Sequence, residues 1–206
     1  MLADLPDRNV SAASQVAHAL STHQVSMEFD FYTAVDDLRP EDTEGADMLG
    51  IVEFNSACFY RYANVDLAQL SENLAGDAVL AQRTLDAFIR ASVSAIPTGK
   101  QNSMAAHNPP ALVFAVARER GLWSLANAFL QPVRPQRDGD LMGQSAKALD
   151  RYWGQLSAMY GQGSIAGMWM TMLDGEQQLE HLGSARQTNL QAVVQGVLDA
   201  ASFVRP

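Results

Sequence analysis

Phe29-Asp30-Phe31-Tyr32-Thr33-Ala34-Val35 is the stretch on which the reading of this chain turns. Aromatic and β-branched residues dominate it, and these fit a pleated surface better than a helix, so it reads as an extended strand. It runs into a polar, acidic segment, residues 36–47, broken by Pro40 and Gly45 and therefore a loop. Residues 52–63 return as a strand. There Phe54, Ser56, Cys58, Tyr60 and Tyr62 alternate with Asn55, Ala57, Phe59, Arg61 and Ala63, the period of two that separates the faces of a sheet. Two strands joined through a long acidic loop predict a hairpin projecting beyond a sheet.

Working upstream, Gln15-Val16-Ala17-His18-Ala19-Leu20-Ser21-Thr22-His23-Gln24-Val25 is too short and too poor in charge for a surface helix, which predicts a buried strand. Downstream, Asp66 is a good N-cap for a helix beginning Leu67-Ala68-Gln69-Leu70. Gly76 interrupts the pattern before a longer helix over residues 78–95, where Leu85, Phe88, Ile89 and Val93 form an apolar stripe. Ile96-Pro97-Thr98-Gly99 ends it, and a loop over residues 98–103 leads to the short strand Leu112-Val113-Phe114-Ala115-Val116. Residues 123–133 fit a helix or a strand, and residues 134–140 form a loop of mixed charge. A helix is predicted over residues 143–160 with Ala146, Leu149, Trp153, Leu156 and Tyr160 inward and Gly161 at its end. An amphipathic helix over residues 190–203 follows. Strands, a hairpin extension and then helices in this order make an α+β fold.

A chain of 206 residues is expected to form a single domain, and with 48% apolar and 18% charged residues it can bury a substantial core. Its longest uninterrupted apolar run, residues 111–117, is far too short to cross a bilayer, so no membrane partner is expected. Met1-Leu2-Ala3-Asp4-Leu5-Pro6-Asp7 carries acids where a signal peptide has bases. With Cys58 as the single cysteine no internal disulfide can form, and a reducing cytoplasm is the expected location. The net charge of −9 runs against phosphate binding, which normally draws on clustered Lys and Arg. The acid is localised: residues 1–63 hold 11 acids and 3 bases, whereas residues 64–206 hold 12 and 11.

Few residues carry a signature of catalysis. His18 and His23 sit five apart on one strand and point to opposite faces, while His107 and His181 lack a Cys or carboxylate at ligand spacing. Asp36-Asp37 could hold Mg²⁺ at a phosphodiester, but an acid-rich loop is more commonly just solvated. Gly99-Lys100 lacks the upstream glycine of a nucleoside-triphosphate loop, and Gln101 stands where Ser or Thr would bind the metal. Lys100 remains able to contact a phosphate. Phe31-Tyr32 and Tyr60-Arg61-Tyr62 are the residue types that stack on bases, although core packing is the more common use of such residues. No metal or organic cofactor is called for.

Longer strings carry a resemblance. Residues 16–25, Phe31-Tyr32-Thr33-Ala34-Val35-Asp36-Asp37-Leu38 and Phe59-Tyr60-Arg61-Tyr62-Ala63-Asn64 resemble the CasC family, the backbone subunit of the type I-E CRISPR Cascade complex. Pro97-Thr98-Gly99-Lys100-Gln101, Ala105-Ala106-His107-Asn108-Pro109 and Ser124-Leu125-Ala126-Asn127-Ala128-Phe129 extend the match in the same order. The resemblance covers only the family's C-terminal part. It implies an RRM-like (ferredoxin-like) sheet lacking its first strand, with residues 1–206 a single incomplete domain, residues 29–54 a protruding thumb hairpin, and C-terminal helices. In the spatial order 4-1-3-2 the absent strand lies between the third (residues 54–65) and the fourth (within 103–117), leaving two unpaired edges. The segment of the family that precedes these strings also carries most of its basic surface, which would account for the acidity.

For function, the resemblance implies a non-enzymatic scaffold. Copies of itself or of the full-length backbone subunit line up on a CRISPR RNA, join other Cascade subunits, and present the guide for pairing with target DNA, the protein holding shape while base pairing reads sequence. Met1, Phe31, Tyr32, Thr33 and Leu49 would wedge the displaced guide nucleotide, with Phe31 to Thr33 at the thumb's base and Leu49 near its tip. Lys100 would contact guide phosphate, and Arg134 and Arg137 would contact target DNA. Two alternatives remain at this level: metal-dependent cleavage of target RNA by Asp36 or Asp37, as in type III backbone subunits, and an inactive interaction module.

Overall fold

Helix α4, Leu141–Tyr160, lies across an antiparallel ladder of β7, Leu112–Arg118, and β8, Ile165–Met172, and the principal core forms between them. The computed structural model describes residues 9–34, 48–135 and 140–201. The fold is mixed α+β. Besides β7 and β8, the described strands are β1 (Ser14–Val16), β2 (Leu20–Ser21), β3 (Glu28–Ala34), β4 (Met48–Phe54), β5 (Phe59–Tyr60) and β6 (Ala63–Val65). The remaining helices are α1 (Leu67–Asn73), α2 (Ala78–Ser94), the single turn α3 (Gln101–Met104) and α5 (Leu190–Ala200). The four described ladders are antiparallel, β1 with β6, β2 with β5, β3 with β4, and β7 with β8, and two isolated bridges, His23 with Val133 and Met170 with Arg186, are parallel. Among the described residues no ladder joins β5 or β6 to β7.

Local chemistry accounts for most helix ends. Asp66 caps α1 by accepting the N–H groups of Ala68 and Gln69, Asp77 accepts that of Leu80, Asp140 that of Gly143, and Asn189 that of Ala192. Gly76 and Gly161 adopt φ of +78° and +73° at the ends of α1 and α4, a backbone region that a Cβ disfavours. Of the apolar stripe predicted on α2, Leu85 is buried and Phe88, Ile89 and Val93 are half-buried.

Several expectations need correction. The upstream stretch forms two short strands rather than one, and it is not buried: Val16 is 74% exposed, and among the strand residues only Ser21 is even partly covered. Poverty in charge is not burial, and this ladder has no second layer over these positions. The strand predicted over residues 52–63 is three strands, beginning at Met48 and interrupted at residues 55–58 and 61–62. Residues 123–133 are neither long helix nor strand but an irregular path with one 3-10 turn, Ala126–Phe129. Tyr160, expected inward, is 64% exposed at the last turn of α4. The strand β8 was not anticipated.

Trp153 anchors the core, meeting the Phe114 ring edge-on at 5.0 Å and the Trp123 ring at 5.4 Å, with Leu125, Met170 and Leu182 buried around it. Two polar contacts of α4 are also buried. Ser145 Oγ lies 2.8 Å from Thr22 Oγ1, next to the arm-bearing ladder. Three residues before Trp153, the Asp150 carboxylate accepts the backbone N–H groups of Glu180, His181 and Leu182 at 3.0, 2.9 and 2.7 Å. These donors belong to a segment without helix or strand partners, so a charged acceptor takes the role a ladder would otherwise have. Replacing Asp150 with Ala leaves three donors short of an acceptor and is expected to lower unfolding free energy by about 2–4 kcal/mol, measured by urea denaturation.

Candidate nucleic-acid interface

The strands β3 and β4 form a hairpin arm whose register runs from Glu28 opposite Phe54 to Ala34 opposite Met48. Each strand packs chiefly on the other, and among the described residues no other helix or strand covers the arm to a comparable extent. Directly paired residues share a face, so Phe29, Phe31 and Ile51 lie together on one side and Tyr32, Val52 and Phe54 on the other. Apolar side chains on both faces are solvated: Phe31 is 63% exposed and Tyr32 48%. A soluble hairpin does not ordinarily present aromatic residues this way unless another molecule covers them.

Tyr32 has a defined seat. Its ring lies across the backbone of its cross-strand partner Gly50, where a Cβ would run into the ring. Glycine is needed there for the close approach of the ring. Thr33 and Leu49 are direct partners one pair short of the ladder's far end, so Leu49 stands level with Thr33, and the Phe31–Thr33 segment lies in the arm's outer half rather than at its base. Met1, Asp36, Asp37 and Arg137 lie outside the described residues.

The basic candidates sit elsewhere. Lys100 is exposed, has φ of 51°, and starts the single turn α3; with Thr98, Gln101, Asn102 and Ser103 it lines a shallow open depression. Arg134 is also exposed. It follows Val133, whose N–H donates to the Thr22 carbonyl at 2.9 Å and which bridges to His23. The arm's root at Glu28 is therefore a few residues along the chain from the segment that Arg134 adjoins.

The Tyr60-Arg61-Tyr62 string serves the structure. Tyr60 Oη accepts the Leu125 N–H at 2.9 Å and its ring packs near Phe129. Burial raises its phenol above the ordinary value, with the Leu125 hydrogen bond acting in the opposite direction. Arg61 donates to the carbonyls of Ala95 and Val93, neutralising the negative end of α2. Tyr62 is half-buried and accepts from Asn64. None of the three is presented as a stacking platform. Among the described residues no group of His, Cys, Asp and Glu could hold a metal. His181 packs against Gly154 of α4.

The exposed aromatics of the arm are its most distinctive feature, and comparison with known proteins gives the class. The chain is similar to a chain of a "CRISPR RNA-guided surveillance complex, pre-nicking", at 34% identity and a TM-score of 0.83, covering 98% of this chain and 53% of that one. A chain of a second structure, a "CRISPR RNA-guided surveillance complex", gives the same identity and TM-score over 98% of this chain and 75% of its own. No curated protein matches. This chain thus spans about half the length of the first of these relatives. A family model described as CT1975-like protein matches residues 1–196, and the chain belongs to that family of Cas proteins. The narrower resemblance to CasC is of the same kind and goes further than these matches.

Substituting Gly50 with Ala is expected to lift the Tyr32 ring from the arm. In proton NMR the Gly50 Hα resonances of the native chain should carry the ring-current shift of Tyr32, and Tyr32→Leu should abolish it.

Proposed function

We propose that this chain is a CRISPR RNA-binding backbone subunit of a type I-E Cascade surveillance complex, with an RRM-like body and β3–β4 as the thumb that folds over the guide. Supporting this above all is an arm with aromatic residues exposed on both faces, in a chain that aligns over 98% of its length with a chain of an RNA-guided surveillance complex. In this reading Phe31, Tyr32, Thr33 and Leu49, adjacent in the arm's register, form the wedge against a displaced nucleotide. Stacking of this kind is tolerant of base identity, as a subunit holding any guide sequence requires. Met1 would join that wedge. Lys100 serves a guide phosphate, and Arg134 with Arg137 meets target DNA. The partners are the guide, the target, other copies of the backbone subunit and the remaining Cascade subunits, in the cytoplasm.

No bond is broken by the subunit in this reading. Incubating the assembled complex with complementary RNA and Mg²⁺ tests that: target RNA should stay intact, and cleavage that disappears in Asp36→Ala would replace the scaffold with a nuclease.

Phosphate neutralisation dominates affinity for nucleic acid, and a chain of net charge −9 has little of it to offer. Gel shifts of the isolated chain with guide RNA at low salt are therefore expected to show no complex below about micromolar protein. In complexes reconstituted with the full-length backbone subunit, Phe31→Ala with Tyr32→Ala should weaken crosslinking to the guide by about tenfold or more, at about 1–3 kcal/mol for each lost stack. Unchanged crosslinking would remove the arm from the guide-binding surface.

A further inference from the structure

His23 lies five residues before β3 and Cys58 four residues after β4, so a bond between them spans the two legs of the arm at its root. Such a bond exists. The Cys58 N–H donates to His23 Nε2 at 3.2 Å, while His23 Nδ1 lies 2.8 Å from the Gln24 carbonyl oxygen. A carbonyl can only accept and a backbone N–H can only donate, so one protonation state satisfies both contacts: the neutral ring with its proton on Nδ1 and a lone pair on Nε2. The backbone holds the ring in place. Ser21 Oγ donates to the His23 carbonyl at 2.7 Å, the Thr22 N–H donates to the Cys58 carbonyl at 2.9 Å, and Val133 pairs on the other side.

We propose that His23 is a positioning residue for the arm, tying its root through the Cys58 N–H only while the imidazole is neutral, so that protonation removes this one tie and leaves the β2–β5 pairing to hold the root. A protonated Nε2 has no lone pair, and its N–H would point at another N–H, leaving a half-buried donor unmatched. The segments bonded to residues 21–24 offer an imidazolium nothing in exchange. They carry the Cys58 thiol on the β5 side and the Arg134 guanidinium beside Val133. On α4, which meets Thr22 through Ser145, they carry Lys147 two residues further on. Among the described residues that bond or bridge to residues 21–24, none carries a carboxylate. The effect has a definite sign: the contact is made by the neutral ring and broken by the protonated one, so it is lost in the direction of falling pH.

Amide hydrogen exchange by NMR on the whole chain reads this contact without any nucleic acid, so its outcome is separate from that of the guide-binding reading. Corrected for intrinsic exchange, protection of the Cys58 amide should fall about tenfold or more between about pH 8 and pH 5. His23→Gln, whose amide oxygen can replace Nε2 as acceptor without titrating, should flatten that profile, and His23→Ala should remove the protection at every pH. Should the Ala variant not fold, the native and Gln profiles alone decide. Protection that persists through the titration of the native ring, or a Gln variant with the native profile, would overturn the proposal.

Discussion

The buried face of α4 is the constraint from which the other placements follow. Its apolar residues, Ala146, Leu149 and Trp153, set the distance to the β7–β8 ladder, but apolar packing tolerates sliding. The two buried polar contacts do not. Asp150 accepts donors from three successive residues, which fixes both the position and the direction of the 180–182 segment. Ser145 meets Thr22, and the latter's carbonyl also takes the Val133 N–H, so a single residue of the arm-bearing ladder is held from two sides. Buried polar groups are costly unless matched, and for that reason they select one arrangement among the many that hydrophobic contact alone permits.

The arm stands at the end of this chain of constraints. Its strands gain little from the body, and a two-stranded hairpin alone is marginally stable in water. Its geometry is therefore set at the root, by the backbone contacts around His23 and Cys58, and along its length by the register that seats Tyr32 over Gly50. A root fixed by hydrogen bonds below uncovered apolar faces is what the proposed function asks of the arm.

What the residues revealed in advance was what depends on near neighbours. Asp66 as an N-cap, the extended character of Phe29-Asp30-Phe31-Tyr32, and Gly161 at the end of α4 are decided within a few residues, and all are seen. What depends on distant packing was opaque. β8 was missed because Met168-Trp169-Met170-Thr171-Met172 shows no alternation; its residues are at least partly covered on both faces, by the core on one side and α5 on the other. Residues 15–25 show the reverse: a strand-like composition suggests burial, yet the strands β1 and β2 are largely exposed and within the stretch only Thr22 is buried, against α4. In the candidate interface Phe31 and Tyr32 stand out in the sequence as strand aromatics, but composition alone favours core packing for such residues, and their exposure shows only in the structure. The seat at Gly50 was not legible either, since it exists only once the two strands are in register. Tyr60-Arg61-Tyr62 carried the same composition and went to a different use, because its neighbours are Leu125 and the end of α2.

Charge and exposed apolar surface together restrict how such an arm can grip a polyanion. The strand residues Glu28, Asp30 and Glu53 place carboxylates beside the aromatic positions, so approach of a phosphate backbone along the arm is opposed, more strongly at low salt. Base faces carry no net charge, and they can meet Phe31 or Tyr32 while the phosphates are held away from the acids. An arm of this composition is therefore suited to nucleotides turned out of a stack, and poorly suited to running along a strand. In the proposed reading the cations a phosphate needs come from other surfaces, Lys100 and Arg134 or neighbouring subunits. The division of labour that reading requires, bases to the arm and phosphates elsewhere, is compatible with the side chains on the arm.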